Sequence, residues 1–146
     1  MAPRTYKLGR DRRMKILLVE NSPKSTMAFA KFFSTLGCEF RSVDTWSTAC
    51  PMVSNWDPSL VILRSKLPDF QAWEACFEMR SARHEHRPYV VVISSGVSRK
   101  DKARCMECGA DVYLIEPVNV FDIRQAMAAA EQGEKPNGYW NDKNKH

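Results

Sequence analysis

The chain has 146 residues, 44% hydrophobic and 27% charged, with a formal net charge of +5, figures that fit one soluble domain with room for a single core. No apolar run approaches the roughly 20 residues needed to span a bilayer, and the stretch Ile16 to Val19 is too short for the core of a signal peptide, so a cytoplasmic protein is expected. Five cysteines (Cys38, Cys50, Cys76, Cys105, Cys108) at irregular spacings do not make a secreted disulfide framework.

The charge is unevenly placed. Residues 1–13 carry five basic groups against Asp11, residues 132–146 carry three lysines against Glu134 and Asp142, and residues 14–131 sum to zero. The chain therefore reads as a basic N-terminal arm (1–13), a folded body (14–131) and a polar C-terminal tail (132–146). Met14, directly before the first strand, also suggests a start of the chain there. A basic arm can contact nucleic acid, although a solvated tail is the plainer reading.

In chain order, Lys15 to Val19 is a short apolar run expected to form a buried strand. Ser22-Pro23 opens a helix, with Ser22 as N-cap and Pro23 at the first helical position. Met27, Ala30, Phe33 and Leu36 recur at helical spacing, and Gly37 closes the segment. Glu39 to Val43 is a second strand. Asp44 to Trp56 is a weaker helix, because Pro51 must sit in its first turn or kink it. Leu60 to Leu63 is the third strand, with Arg64 as the first residue off it.

Gln71 to Ala82 has helical composition, and Tyr89 to Ile93 is β-branched and continuous. Lys100 to Cys108 forms a helix closed by Gly109. Val112 to Ile115 and Val120 to Glu131 complete the body as a fifth strand and a fifth helix. Apolar strands alternating with helices, with no hairpin signal, predict a parallel α/β sheet covered on both faces. Its strand order is not readable from pattern alone.

Four stretches, "KILLVENSP", "PSLVILRSKLPD", "VVVISSG" and "CGADVYLIEPV", together resemble the receiver domain of bacterial two-component response regulators. The resemblance covers residues 14 to 131 and implies a flavodoxin-like, doubly wound five-stranded sheet of order 2-1-3-4-5, with the site at its C-terminal edge. Receivers accept a phosphoryl group on an aspartate ending the third strand. Two acidic residues after the first strand hold magnesium, a threonine or serine ends the fourth strand, and a lysine ends the fifth.

The chain departs from that pattern at most of those places. The acidic pair corresponds to Glu20 and Asn21, the phosphoacceptor position is Arg64, and the lysine position is Glu116, followed by the matching Pro117. Ser94 keeps the hydroxyl position and Tyr113 the aromatic switch position, while Ala72 replaces the usual glycine at the start of the third helix. A guanidinium stays protonated and is no nucleophile for a phosphoryl donor. One carboxylate and an amide are a poor octahedral set for magnesium, so loss of Mg2+ binding is expected, and Glu116 would repel phosphoryl oxygens. The resemblance thus implies a pseudo-receiver without catalysis or cofactor. In it Arg64 is expected to pair with Glu116, Glu20 or both, since Arg suits bidentate carboxylate geometry; the plainer reading has Arg64 swinging into solvent.

Partners follow from the same resemblance. Protein partners in a signalling pathway are expected, on the face formed by the fourth helix, fifth strand and fifth helix, which would also serve a homodimer. Arg99, Lys100, Lys102 and Arg104 cluster there, and cations at a helix N-terminus oppose its dipole, though a solvated charged face is the ordinary explanation. Without phosphorylation, Tyr113 is expected in a single orientation. No membrane partner is expected, and nucleic acid is disfavoured by the neutral body. A transcription regulator using its basic termini and a phosphotransfer protein using another aspartate are the alternatives. For the latter Asp69 is the candidate, although it should point away from Glu20.

Other motifs have bland readings. Cys105-Met106-Glu107-Cys108 lies near a helix end and lacks a second cysteine pair for zinc. His84-Glu85-His86 sits in a short polar connection. Ser94-Ser95-Gly96 lacks the glycine and histidine of a nucleophile elbow. Trp46, Trp56 and Trp73 are expected to pack, whereas Tyr139-Trp140 in the tail is either a partner anchor or a segment that folds back on the domain.

Overall fold

In a computed structural model of the protein, residues 13–81 and 87–132 are described. Five strands, β1 (Lys15–Val19), β2 (Glu39–Val43), β3 (Leu60–Arg64), β4 (Tyr89–Ser94) and β5 (Val112–Ile115), form one parallel sheet. Their order is β2-β1-β3-β4-β5. Five helices connect or follow them: α1 (Pro23–Thr35), α2 (Trp46–Asn55), α3 (Ala72–Ser81), α4 (Arg99–Glu107) and α5 (Val120–Gln132).

The apolar runs are buried on both sides because successive strand residues point to opposite faces. Leu17, Val19, Val61, Leu63, Val92 and Tyr113 enter one core with Trp46, Ala49 and Val53 of α2 and Ala75, Cys76 and Met79 of α3. Ile16, Leu18, Ile62, Val91 and Leu114 enter the other, with Phe33 of α1 and Ile123 and Ala126 of α5. The flavodoxin-like sheet of order 2-1-3-4-5 is therefore present, with α1 and α5 on one face. None of these helices is long and apolar enough to cross a membrane.

Three expectations need correction. Arg64 is the last residue of β3, paired with Ile93 of β4, and not the first residue off the strand. The second helix starts at Trp46 and not at Asp44, with Pro51 at its sixth position, so of the two placements expected for Pro51 the first turn is excluded. The helix start is fixed downstream of Asp44, because Thr45 caps it through Thr48 N–H and Asp69 accepts the Trp46 and Ser47 amides. In α1, Met27 is 72% exposed, and Phe33 is its fully buried residue, backed by Phe29 and Phe32. The buried stripe is thus rotated away from Met27. The predicted Ser22 cap is present, accepting Ser25 N–H, and Gly37 ends α1 at φ +73°, a backbone region open to glycine.

Candidate functional site

The register brings three charged side chains to one end of the sheet. Val19 pairs with Leu63 across β1 and β3, so Glu20 and Arg64 follow side by side. Glu116 leaves β5 with its amide on Ser94 O, across the end of β4. Arg64 donates from Nε (3.1 Å) and Nη2 (2.5 Å) to Glu20 Oε1, and from Nη2 to Glu116 Oε2 (2.9 Å). Its Nη1 lies 2.8 Å from Glu116 Oε1, completing a fork on that carboxylate. The other Glu20 oxygen accepts the Ser22 amide at 3.0 Å.

The Glu20 side chain is 3% exposed and that of Arg64 13%, whereas that of Glu116 is 38% exposed. Burial alone would raise the Glu20 pKa, but the Arg64 bonds and the Ser22 amide hold it below the ordinary carboxylate value. The Arg64 pKa is raised by its bond to Glu116, opposed by burial and reinforced by Glu20. The guanidinium therefore stands, permanently charged, between the two carboxylates.

This donor set does not fit the magnesium ion that a receiver site would hold. Both Glu20 oxygens already accept hydrogen bonds, Asn21 supplies an amide in place of a carboxylate, and the Arg64 cation lies against the carboxylate a dication would need. Among the described residues no group of three or more His, Cys, Asp or Glu could hold a metal elsewhere.

Ser94 is buried, and its hydroxyl donates to Gly96 O (2.7 Å) while facing the Gly96 amide (3.3 Å), so it closes its own loop. Tyr113 is fully buried and donates its hydroxyl to Asp101 Oδ2 of α4 at 2.5 Å. Burial first, and Asp101 second, raise its pKa above the usual phenol value. The switch-position side chain is thus turned inward and fastened to α4. That tertiary bond had no signal in the sequence.

The basic cluster on α4 is not uniform. Arg99 and Lys100 are exposed, Lys102 is half-buried, and Arg104 lies over the Trp73 ring at 4.8 Å. Asp101 occupies the same first turn, where it offsets the cations' opposition to the dipole. Trp46 packs in the core, and Arg41 sits 4.3 Å over Trp56.

Asp69 caps α2 with both oxygens, at 3.0 and 2.9 Å from the Trp46 and Ser47 amides. Cys105 is buried in α4 with a raised pKa, Cys108 is the C-cap, and burial pushes the Cys76 thiol up to about 12, the opposite of a reactive thiolate. His84-Glu85-His86, Tyr139-Trp140 and residues 1–12 lie outside the described residues.

Beside the triad opens a cleft of about 690 Å³ between the start of α1 and the β5–α5 connection. Ala28, Phe29, Phe32, Val118, Val120 and Ile123 line it, with Glu20, Arg64 and Glu116 at its floor. The sequence reading placed Phe33 in the core but gave no sign that Phe29 and Phe32 would border an opening.

Residues 16–128 match the family model described as "Response regulator receiver domain". The chain belongs to that family. As a receiver domain of two-component signalling it is 24% identical over 118 residues to the regulatory protein AtoC of Escherichia coli K12, covering 81% of this chain and 25% of that protein. It is 29% identical over 121 residues to the transcriptional regulatory protein TcrA of Mycobacterium tuberculosis, covering 83% of this chain and 47% of that one. The receiver spans at most about half the length of these relatives.

Among solved structures, a CheY-like receiver from Methanospirillum hungatei superposes with a TM-score of 0.75 at 19% identity, over 83% of this chain and 95% of that one. The receiver of a sensor histidine kinase from Pseudomonas aeruginosa, described with magnesium coordinated in its cleft, gives 0.73 at 19% identity, over 84% and 99%. These likenesses establish the fold. Receiver domains of two-component systems interact with partner proteins, and the site chemistry of this one must be argued from its own residues.

Proposed function

We infer that this receiver is a pseudo-receiver, working without aspartyl phosphorylation and without magnesium, and transmitting signals by binding a protein partner. The observation that carries the reading is the Arg64 guanidinium bonded to Glu20 and Glu116 together. Where a receiver needs a carboxylate nucleophile, this side chain offers only N–H donors. Where it needs a cation to stabilise phosphoryl oxygens, Glu116 offers a carboxylate. The two reversals compensate each other: the site holds itself together with an internal cation.

A fixed site has a consequence for output. Tyr113 on Asp101 and Arg64 on two strand ends hold β5, α4 and the loops between them in one arrangement. In this reading the face of α4, β5 and α5, with exposed Arg99 and Lys100, is read by its partner in that arrangement. Signal input then comes from the partner's presence and not from a phosphodonor.

Incubating the full chain with acetyl phosphate and magnesium, followed by intact mass measurement, tests the reading. An unchanged mass is expected. A magnesium-dependent phosphoryl adduct released by hydroxylamine would overturn it.

A further inference from the structure

The cleft beside the triad has an apolar wall and no role in the chemistry described above. Its volume of about 690 Å³ is within the range of roughly 300–1,000 Å³ seen for ligand pockets. Val120 at its mouth is 52% exposed, and Phe29 and Phe32 are only partly buried. We propose that the C-terminal segment of this same chain occupies it, with Tyr139 and Trp140 seated between α1 and the start of α5.

Three observations select that occupant. First, composition: in residues 133–146 the pair Tyr139-Trp140 supplies the only large apolar side chains among lysines, asparagines and other polar residues. Aromatic side chains of this kind bury roughly 150–250 Å² each. Second, turn signals: Gly133 directly follows the last residue of α5, and Pro136 and Asn137-Gly138 come before the aromatic pair. Helix-stop and turn residues in that order favour a reversal of the chain over a straight exit.

Third, reach. The cleft mouth is at Val120 and the chain leaves α5 at Gln132. Twelve helical steps make an axial distance of about 18 Å at about 1.5 Å per residue. The eight residues from 133 to 140 extend to at most about 26–29 Å. A tail running back along α5 therefore brings Trp140 to the mouth with length left for the turn. The tether also supplies an effective concentration on the order of millimolar, which a separate molecule must exceed to compete.

A seated tail would cover the floor where Arg64 meets Glu116, and a protein approaching across α1 and α5 would have to displace it. The proposal rests on the cleft and the tail sequence and not on the phosphorylation reading, so either stands if the other fails.

The test uses NMR on the 146-residue chain. Expected are nuclear Overhauser contacts from the Trp140 indole to Phe29, Phe32 and Ile123. Also expected are amide shift changes at Ala28, Val120 and Ile123, but not along α3, in the double variant Tyr139→Ala/Trp140→Ala of the same chain. A Trp140 ring with random-coil shifts and no contacts to the body would overturn the proposal. So would contacts that appear only between differently labelled chains in a mixed sample, which would assign the cleft to a second copy.

Discussion

Glu20 and Arg64 sit side by side at the ends of neighbouring parallel strands, and two donors of the arginine converge on a single oxygen of the glutamate. Neither side chain could be held there alone. Glu20 is almost fully enclosed, and an enclosed carboxylate needs a partner to stay ionised. The strand register supplies that partner at fixed distance, so the arginine acts as a structural counter-ion to the first strand's acidic residue.

Replacing Arg64 with Ala leaves Glu20 enclosed without a counter-ion, with only neutral donors from Ser22 and Ser25 beside it. Breaking a buried pair by removing one member costs roughly 3–5 kcal/mol. A clear drop in the denaturant midpoint is expected, much larger than for Lys100→Ala on the exposed start of α4. An unchanged midpoint for Arg64→Ala would mean that the pair contributes nothing to folding.

Magnesium should have no effect on the melting temperature of the wild-type chain, since the Glu20 oxygens are engaged and a cation stands beside them. The triple variant Asn21→Asp/Arg64→Asp/Glu116→Lys restores an oxygen-rich set, whose carboxylates repel one another until a dication binds. Its melting temperature should be low and should rise with added magnesium. A saturable magnesium response in the wild-type chain would contradict the ion-pair account.

Acid should weaken the fold through Glu20. Its folded pKa is depressed below the reference value of 4.5, so the unfolded chain binds the proton first. The stabilisation is fully present above about that value and is lost as pH falls through the folded pKa. Thermal melts of the wild type against Glu20→Gln should therefore converge as pH falls below 4.5. Parallel curves across that window would show that Glu20 is not linked to folding.

Asp69 has structural work that accounts for its carboxylate. With two α2 amides on its oxygens, Asp69→Ala should cost about 0.5–2 kcal/mol, the usual range for a lost helix cap. Asp69→Asn, which keeps an acceptor oxygen, should cost less. Equal losses in a thermal melt would argue that the cap is unimportant.

The sheet was legible because its strands are short unbroken apolar runs that satisfy two cores at once. Ser22-Pro23 likewise announced α1 by local capping chemistry. The triad was legible residue by residue once the four motif stretches were aligned with receivers, because strand ends fix which side chains meet. The start of α2, expected at Asp44, was misplaced for a physical reason: Asp69, more than twenty residues away in sequence, helps set where α2 begins. The cleft and the Tyr113 bond to Asp101 depend on how helices lean on the sheet, which no local pattern encodes.

That last bond yields the most direct probe of the output face. Tyr113 is inside the core and its hydroxyl reaches Asp101 in the first turn of α4. A hydrogen bond to a charged acceptor contributes about 1.5–3 kcal/mol, so Tyr113→Phe should lower stability by that order. It should also speed amide exchange at the start of α4 while leaving α1 unchanged. Because burial and Asp101 both raise the phenol pKa above its reference of 10.0, the ultraviolet difference between wild type and Tyr113→Phe should show no tyrosinate at pH 10. Asp101→Ala should bring that ionisation down only in part, since the ring stays buried. A wild-type tyrosinate signal from Tyr113 at or below pH 10 would place the ring at the surface, and the fixed arrangement of β5 and α4 would have to be abandoned.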